Sequence, residues 1–523
     1  MLESEVTSPL LAEHRSPEYG AIEEPSPVAE PRTSFKRNLG TAEAFSIIIS
    51  IVIGSGIFTS PGSIDTNVPS PGFALLVWLV GGILAWTGAA TMAELGTAIP
   101  GEGGVQPYLQ YIFGDVFGFL AAWTWIVAVI PASLAIMSIV FVESVFSAIG
   151  ENNRSQGAVH KLLSILVLII FSMANGISTK ATTRLNSFFV TSKFAAIVAT
   201  VVAGIAVVLY NISSASADKS SQDWLNKSWF GYRTSIGPDG REVDWSKVHG
   251  WEMLGHFSAA LYGALWAYSG WDKAIYITAE LSAPARQLPL AINTAIPIIV
   301  LGFIAVNTAY YILLPWDVVS TTDSVAVTAF NHLLGPGVGL AAAVLICLVV
   351  AGSLLGSAFV GSRMIVAAAN KNWLPKFLGE VGYVGLRRPS RANTEPSATS
   401  TESESSSDSD APLNALIFST ICSSVYIIFG NFRALITFNG LGEYSFFFLT
   451  MIGAIILRFR EPKLHRPYKP IILIPALFTL VSGFVVARGA VFAPFQAVVL
   501  IAVWGLGVVF YLARRRWLRR GAQ

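Results

Sequence analysis

Apolar residues in this chain gather into runs of about 20 residues, which polar or Gly- and Pro-containing segments separate. Such runs are long enough to cross a bilayer as helices, and no segments of about ten residues with strand-like alternation recur. The pattern therefore predicts an all-α integral membrane protein. We expect about twelve spans, at residues 43–66, 72–98, 115–148, 160–178, 187–210, 256–281, 289–314, 335–367, 412–430, 433–458, 470–489 and 492–513.

The composition agrees with a membrane protein and argues against other classes. Of 523 residues, 53% are hydrophobic and 13% are charged. The six histidines have no metal-ligand spacing, and no GxxxxGK[ST] phosphate loop occurs. Cys347 and Cys422 lie inside apolar runs, as core residues do. We expect no enzyme activity, metal, cofactor or nucleic-acid partner; the expected partners are the bilayer and a small molecule.

Basic residues fall on one side of the membrane if there are twelve spans. They precede the first span and follow the fourth, tenth and twelfth, which predicts cytoplasmic N- and C-termini. The N-glycosylation sequons at Asn153, Asn211 and Asn226 all fall on the opposite side. The basic residues are Arg32, Lys36, Arg37, Lys180, Arg184, Arg458, Arg460, Lys463, Arg466, Lys469, Arg514, Arg515, Arg516, Arg519 and Arg520.

The remaining segments are predicted to be tails and a tether. Residues 1–38, rich in Pro, Ser and Glu, are expected to form a disordered cytoplasmic tail. Residues 387–411 are expected to form a disordered, acidic, Ser-rich cytoplasmic loop. Residues 514–523 form a basic cytoplasmic tail, and the twelve-helix domain covers residues 39–515.

Small residues interrupt the first apolar run at Gly54, Ser55 and Gly56. A helix that unwinds there frees amides at the start of one half-helix and carbonyls at the end of the other, and together these groups suit a zwitterion. Alternatively, the small residues only allow two helices to pack closely. This segment alone favours neither interpretation.

A second interruption lies in the sixth run, where Ser269 and Gly270 stand between Trp266 and Trp271. The two interrupted runs are five spans apart, as in carriers built from inverted repeats with a binding site near the membrane centre. The pairing favours a transporter over a packing motif. Trp266 and Tyr268 either close over a substrate or serve as core or interface aromatics.

Charged residues inside the predicted spans are costly and need an explanation. Lys193, near the cytoplasmic end of the fifth span, either extends to the interface or takes the place of a coupling cation and exchanges a proton. Asp272 and Lys273 either neutralise each other or line an aqueous path. Glu94 in the second span is a further isolated charge.

These segments together resemble the amino acid–polyamine–organocation (APC) superfamily, and within it the L-type amino acid transporter family and its fungal amino acid and methionine permeases. The resemblance covers residues 40–515. It rests on GSGIF in the first span, AELGTAIPGEGG closing the second, Lys193, AYSGW in the sixth span and AELSAPARQLPLA after it.

The resemblance implies a LeuT-like fold with two inverted five-helix repeats, at about 43–210 and 256–458, and two extra helices at 470–513. It implies a secondary active carrier of L-amino acids. It also implies that Lys193 stands in for a sodium ion, so proton symport or exchange is expected.

The resemblance also implies roles for individual residues. The substrate carboxylate is expected at the backbone of Ser55, Gly56 and Ile57, and Trp266 is expected to act as an aromatic gate. The resemblance gives Glu280 and Arg286 gating or structural roles, and we expect roles of the same kind for the intramembrane charges Glu94 and Asp272. The whole predicted binding set is Ile53, Gly54, Ser55, Gly56, Ile57, Trp266, Ala267, Tyr268, Ser269 and Gly270.

Two departures from the family pattern bear on partners and substrate. Animal members join a glycoprotein heavy chain through a cysteine between the third and fourth spans, but GENNRSQGAVH here has none, so no disulfide-linked heavy chain is expected. Asp272 and Lys273 replace residues that are usually uncharged. Large neutral amino acids or methionine are the first expectation, whereas an anionic pocket at Asp272 would suit the alternative, a cationic amino acid or polyamine.

Other functions and locations stay open at this point. An amino-acid sensor would use the same pocket without flux, whereas a channel would need a ring-forming polar span that is not evident. The plasma membrane is the expected location. The segment SEVTSPLL resembles a dileucine sorting signal with its acidic residue one position too far away, which leaves the vacuolar membrane as the alternative.

Overall fold

The described residues fold almost entirely as helices. The computed structural model describes residues 40–99, 104–149, 157–177, 179–213, 222–237, 240–272, 281–380 and 412–521. The helices are α1 Thr41–Val52, α2 Gly56–Asp65, α3 Pro71–Ala98, α4 Val105–Phe113, α5 Asp115–Thr124, α6 Ile130–Ala148, α7 Ala158–Ile177, α8 Thr179–Ser213, α9 Asp223–Asn226, α10 Gly250–Ala267, α11 Pro284–Leu313, α12 Trp316–Val319, α13 Val325–Leu334, α14 Pro336–Asn370, α15 Leu413–Phe429, α16 Phe432–Arg460, α17 Leu473–Phe492 and α18 Pro494–Gly521.

Nine helical segments in the described part of the chain are long and apolar enough to cross a membrane. One of them, Asp115–Ala148, joins α5 and α6 through a π-helical turn at Trp125–Val129. The broken pair α1–α2, together with α10 and the shorter α15, supplies the other three predicted spans. The prediction of an all-α membrane protein with about twelve spans is confirmed.

Local sequence explains where several helices begin. Proline stands in the first turn of α3, α11 and α14, where its missing N–H costs nothing because that donor has no helical partner. Asn431 caps α16 by accepting a hydrogen bond from the Ala434 amide at 2.9 Å. The long helices therefore start at defined positions, and this fixes which residues meet in the core.

The core forms where long helices pack side by side, with α6 against α14 and α3 against α11. Glycine allows the closest approaches: a Cβ at Gly352 of α14 would lie 2.5 Å from the Cβ of Phe189 in α8.

A β-hairpin covers one end of the bundle. Its strands, β1 Thr234–Ile236 and β2 Glu242–Asp244, pair antiparallel with Ser235 opposite Val243. The Gly72 amide at the start of α3 donates to the Trp229 carbonyl at 2.8 Å and ties the segment to the helices. We call this end, which carries residues 222–237 and 240–249, the hairpin end. The opposite end, where α3, α14, α16 and α18 finish, is the basic end.

Candidate functional site

The first predicted span is two helices joined by Ile53, Gly54 and Ser55. α1 ends at Val52 and α2 begins at Gly56. Ser55 stands at the N-cap of α2 without a side-chain cap, and its carbonyl accepts from the Phe58 amide at 3.0 Å. The first amides of α2 and the last carbonyls of α1 therefore have no partner within their own helices.

The sixth predicted span is interrupted as well. α10 ends at Ala267, and Tyr268, Ser269 and Gly270 form a turn in which the Ser269 amide donates to the Trp266 carbonyl at 3.1 Å. Gly270 has φ 108°, which side-chain-bearing residues rarely adopt. The description of this segment stops at Asp272, so the predicted residues Lys273 and Glu280 lie outside it.

The two interruptions touch each other. A Cβ on Gly56 would clash with the backbone of Ala267 and would lie 3.0 Å from the Ala267 nitrogen. Gly54 differs, because a Cβ there would meet only the Val52 carbonyl at 3.9 Å and Ser353 Oγ at 4.0 Å. The structure thus brings together the two predicted segments, Ile53–Ile57 and Trp266–Gly270.

The aromatic residues of the second interruption have different surroundings. Trp266 is half-buried, and its indole Nε1 has no hydrogen-bond partner among the described residues. Tyr268 is fully buried; its ring stacks on Phe303 of α11 at 4.9 Å, and its hydroxyl donates to the Trp78 carbonyl of α3 at 3.1 Å. The Tyr268 side chain therefore anchors the break to α3 and α11. Only the Tyr268 backbone lies at the break itself.

An aromatic cluster on α16 supports the second interruption and was not singled out from the sequence. The Trp271 indole donates to the Tyr444 hydroxyl at 3.4 Å, and its ring lies 4.7 Å from that of Phe447. Nothing local in the sequence distinguishes these residues from other core aromatics.

Lys193 is buried at 7% exposure, so it does not extend to the interface. It lies one helical turn after Phe189, hence on the same face of α8, and that face packs against Gly352 of α14. The next residue of α14, Ser353, neighbours Gly54. This arrangement directs the Lys193 face of α8 toward α14 beside the first interruption.

Glu94, which the sequence left as an isolated charge, forms a buried ion cluster at the basic end. At 1% exposure, it accepts from Arg458 Nε at 2.9 Å and faces Arg466 Nε at 3.3 Å. Arg458 also donates to the Pro470 carbonyl at 2.8 Å. The cluster links the end of α3 to the end of α16 and the segment that follows it, away from both interruptions.

A second buried carboxylate, Asp65 at the end of α2, holds the hairpin end together. Arg233 from the hairpin pairs with it at 2.5 Å, and the Tyr311 hydroxyl of α11 donates to it at 2.6 Å. Burial, the largest single influence, lowers the pKa of Arg233, but Asp65 together with Tyr311 and Asp317 raises it by more, so the pKa is raised overall. Sequence reasoning missed Asp65, because its partner lies in a loop that carries no recognisable motif.

Arg433 reinforces this closure from the start of α16. It pairs with Asp323 at 2.9 Å and donates to the Ser320 carbonyl at 3.0 Å, and it also contacts Thr66, directly after α2. The end of α2 is therefore joined to the segment after α12 and to α16.

The two remaining charged positions predicted near the sixth span differ in burial. Asp272 is buried at 4% exposure, and Arg286 is exposed in the first turn of α11. The three glycosylation sequons differ. Asn211 in α8 is 4% exposed and accepts a hydrogen bond from Gln222 at 2.8 Å, which leaves little room for a glycan. Asn226 is exposed, and Asn153 lies outside the described residues.

Among the described residues, no group of three His, Cys, Asp or Glu side chains is arranged to hold a metal.

A helical membrane bundle in which two interrupted spans meet is the architecture of a class of secondary transporters. The family model described as amino acid permease matches residues 39–511, and the chain belongs to that family, within the APC superfamily. Its members are transporters and not enzymes, so this chain transports amino acids.

Characterised relatives agree with that assignment. The chain is 30% identical over 488 residues to b(0,+)-type amino acid transporter 1 of Homo sapiens, a match covering 92% of this chain and 89% of the relative. It is 28% identical to Asc-type amino acid transporter 1 of Mus musculus, covering 92% and 81%. It is 27% identical to large neutral amino acids transporter small subunit 2 of Homo sapiens, also covering 92% and 81%.

Proposed function

We propose that this chain is a secondary active transporter that carries L-amino acids by alternating access. The observation that carries this proposal is the contact of Gly56, the first residue of α2, with Ala267, the last residue of α10, which brings a helix N-terminus and a helix C-terminus together. An amino-acid zwitterion needs amide donors for its carboxylate and carbonyl acceptors for its ammonium, and the two sets must lie close together. We assign the substrate carboxylate to the backbone of Ser55, Gly56 and Ile57, and the ammonium to carbonyls of Ile53, Trp266, Ala267 and Ser269.

We further propose that the helices form two inverted repeats, at about 43–210 and 256–458, with extra helices at 470–513. Besides the two breaks, a second feature recurs in both halves. The short helix α4 joins a long span through Gly114 at φ 96°, and the short helix α13 joins a long span through Gly335 at φ 84°. A repeated order of broken helix, short helix, positive-φ glycine and long helix supports the repeat boundaries.

In alternating access, one end of the site must open while the other is closed. In this structure the Asp65 and Arg433 contacts tie the end of α2 to the hairpin, α11 and α16. We propose that these contacts close the site toward the hairpin end and break when α2 moves. The Glu94 cluster joins α3 to α16 and is proposed to stay intact in both states.

The proposed substrates are large neutral amino acids or methionine. One relative bears the name large neutral amino acids transporter, which supports this choice. A cationic amino acid is the second candidate, because Asp272 is a buried carboxylate two residues beyond Gly270 at the second break. A buried charge inside a membrane is costly, and binding a positively charged substrate side chain would be a function for it.

We propose that Lys193 couples transport to protons, by symport or exchange. It is a buried amine whose helix face lies against α14 beside the first break, and burial makes an amine's charge sensitive to its surroundings. A protonated amine there would stabilise the freed carbonyls of α1, and deprotonation would remove that stabilisation.

The experiment that tests the function is uptake of a radiolabelled amino-acid panel at an acidic and a neutral pH, in cells lacking their own amino-acid transporters. Proton symport predicts faster uptake at the acidic pH, and Lys193→Gln should abolish that difference. Amino-acid binding to the purified protein without uptake of any panel member would instead identify a sensor and contradict the proposal.

We propose the plasma membrane as the location, with both termini cytoplasmic and no disulfide-linked heavy chain. The described cysteines, Cys347 and Cys422, are free and half-buried within helices.

Glycosylation tests the proposed orientation. If the hairpin end is extracellular, Asn226→Gln removes a glycan and increases gel mobility, whereas Asn211→Gln does not. A tag after Gln523 that antibody reaches in intact cells would contradict the proposed orientation.

A further inference from the structure

We propose that the basic end carries a binding surface for the headgroups of anionic phospholipids, built from two segments far apart in the chain. One segment follows α14 and the other is the last part of α18. This α14–α18 basic surface consists of Lys371, Lys376, Arg514, Arg515, Arg516 and Arg519.

Direct contacts hold the two segments side by side. Arg514 Nε donates to the Asn372 carbonyl at 2.6 Å. The rings of Trp373 and Tyr511 both pack on Phe119, with centroids 6.2 Å and 5.0 Å from it. The tertiary structure thus joins the two lysines after α14 to the arginines of α18.

These cations have no acidic partner among the described residues. Within the part of the chain that the structure describes, no ion pair involves any of the six, and the Lys371 ammonium lies over the Trp373 ring at 5.1 Å. The nearby segments carry Asp115, which accepts from Gln110 at 2.8 Å, and Glu380, which is exposed. By contrast, Arg458 and Arg466 at the same end both pair with the Glu94 carboxylate.

The position of α18 places these charges at the depth of lipid headgroups. Val498, Ile501, Leu506 and Val509 are between 61% and 65% exposed, as expected for a helix that faces lipid. α18 continues as a helix through Gly521, so its arginines start directly where the apolar part ends. Trp517, 67% exposed among them, is the residue type enriched at the membrane interface.

A cluster of four to eight basic residues directly beyond a span attracts anionic lipids, and the attraction is screened by salt. Basic residues that only set the orientation of a span do not need to be brought together with other basic residues by the fold. Here the cations converge from two segments far apart in the chain, pair with no acidic side chain among the described residues and flank an interfacial tryptophan, and this combination favours headgroup binding.

The test compares lipid retention by the purified full-length protein after exposure to an equimolar mixture of phosphatidylserine and phosphatidylcholine, with bound lipids counted by native mass spectrometry. The wild type should retain phosphatidylserine preferentially. Arg515→Gln with Arg516→Gln should reduce the bound phosphatidylserine roughly tenfold. The matched control, Lys463→Gln with Lys469→Gln, removes the same charge from exposed positions elsewhere at the basic end and should change retention less than about twofold.

Equal retention of the two lipids by the wild type, or equal losses in both double variants, would overturn the proposal. A synthetic peptide of residues 401–410, TESESSSDSD, provides a further arm. If this peptide binds the wild type in neutral detergent and displaces phosphatidylserine, the surface serves the chain's own acidic loop and the lipid assignment is wrong. No binding of the peptide supports the lipid.

Discussion

The two interrupted helices require glycine for different physical reasons. At the first break the reason is contact, because Gly56 lies so close to the backbone of Ala267 that no side chain fits. At the second break the reason is conformation, because Gly270 has φ 108°. The two breaks therefore interrupt their helices by different devices, and the same glycine-to-alanine change should have different consequences at each.

The charges beside the two breaks also differ. The first break neighbours the helix face that carries a buried lysine, Lys193, whereas the second is followed by a buried aspartate, Asp272. If both breaks bind one zwitterion, the first is suited to coupling and the second to the choice of substrate side chain. Substitutions at each break test this division.

The largest effect is expected from Gly56→Ala. The added Cβ clashes with the backbone of Ala267, which cannot rotate away as a side chain could, so the breaks must separate. We expect uptake to fall about a hundredfold, the scale of a displacement of about 1 Å at a reacting or binding site. Gly54→Ala is the matched control, because its Cβ meets nothing closer than 3.9 Å.

Uptake should be normalised to the amount of each variant at its membrane. Equal losses in Gly54→Ala and Gly56→Ala would show that the contact between the breaks is not what matters.

Asp272→Asn tests the charge at the second break. If this carboxylate faces a cationic side chain, uptake of lysine should fall about tenfold relative to leucine, since close opposite charges couple by at least about 1.5 kcal/mol. Competition between the two labelled amino acids measures this ratio. An equal loss for both would assign Asp272 a structural role and leave neutral substrates as the sole candidates.

Gly270→Ala should produce a smaller, conformational effect. Forcing alanine into φ 108° costs about 1–2 kcal/mol, so the purified protein should melt at a lower temperature and uptake should drop about fivefold. Gly302→Ala in α11 is the control, because nothing lies within 4 Å of its added Cβ. Unchanged melting of Gly270→Ala would mean that the turn relaxes and that its glycine is not required.

The smallest effect is expected from Trp266→Phe. The Trp266 indole N–H has no partner among the described residues, so a bound substrate is the partner we infer. Losing one neutral hydrogen bond of about 0.7 kcal/mol should raise the KM about threefold while the protein stays stable. Trp271→Phe should do the reverse, lowering stability with little change in KM, because its indole is bonded to Tyr444 within the protein.

Much of the fold follows from the sequence because it depends on local properties. Length and polarity of the apolar runs define the spans, since backbone groups in lipid must be satisfied within each helix. Gly54–Gly56 and Ser269–Gly270 mark the breaks, since glycine has a low helix propensity. The same motifs identified the superfamily that the family match confirms.

What the sequence could not supply is which distant residues meet. Glu94 and Arg458 are 364 positions apart, and Asp65 and Arg233 are 168 apart, so no local pattern pairs them. The difference between Gly54 and Gly56 is likewise invisible in GSG, and it arises only where Ala267 approaches one of them.

The sequence by itself thus determined the class of protein, the spans and the two places where helices break, because hydropathy and helix propensity act over neighbouring residues. Only the tertiary structure decided that Tyr268 turns its side chain to α3 and α11, that Lys193 is buried, and that the basic residues after α14 and in α18 form one surface. Each of these depends on packing between helices far apart in the chain, where a few ångströms separate a contact from open space.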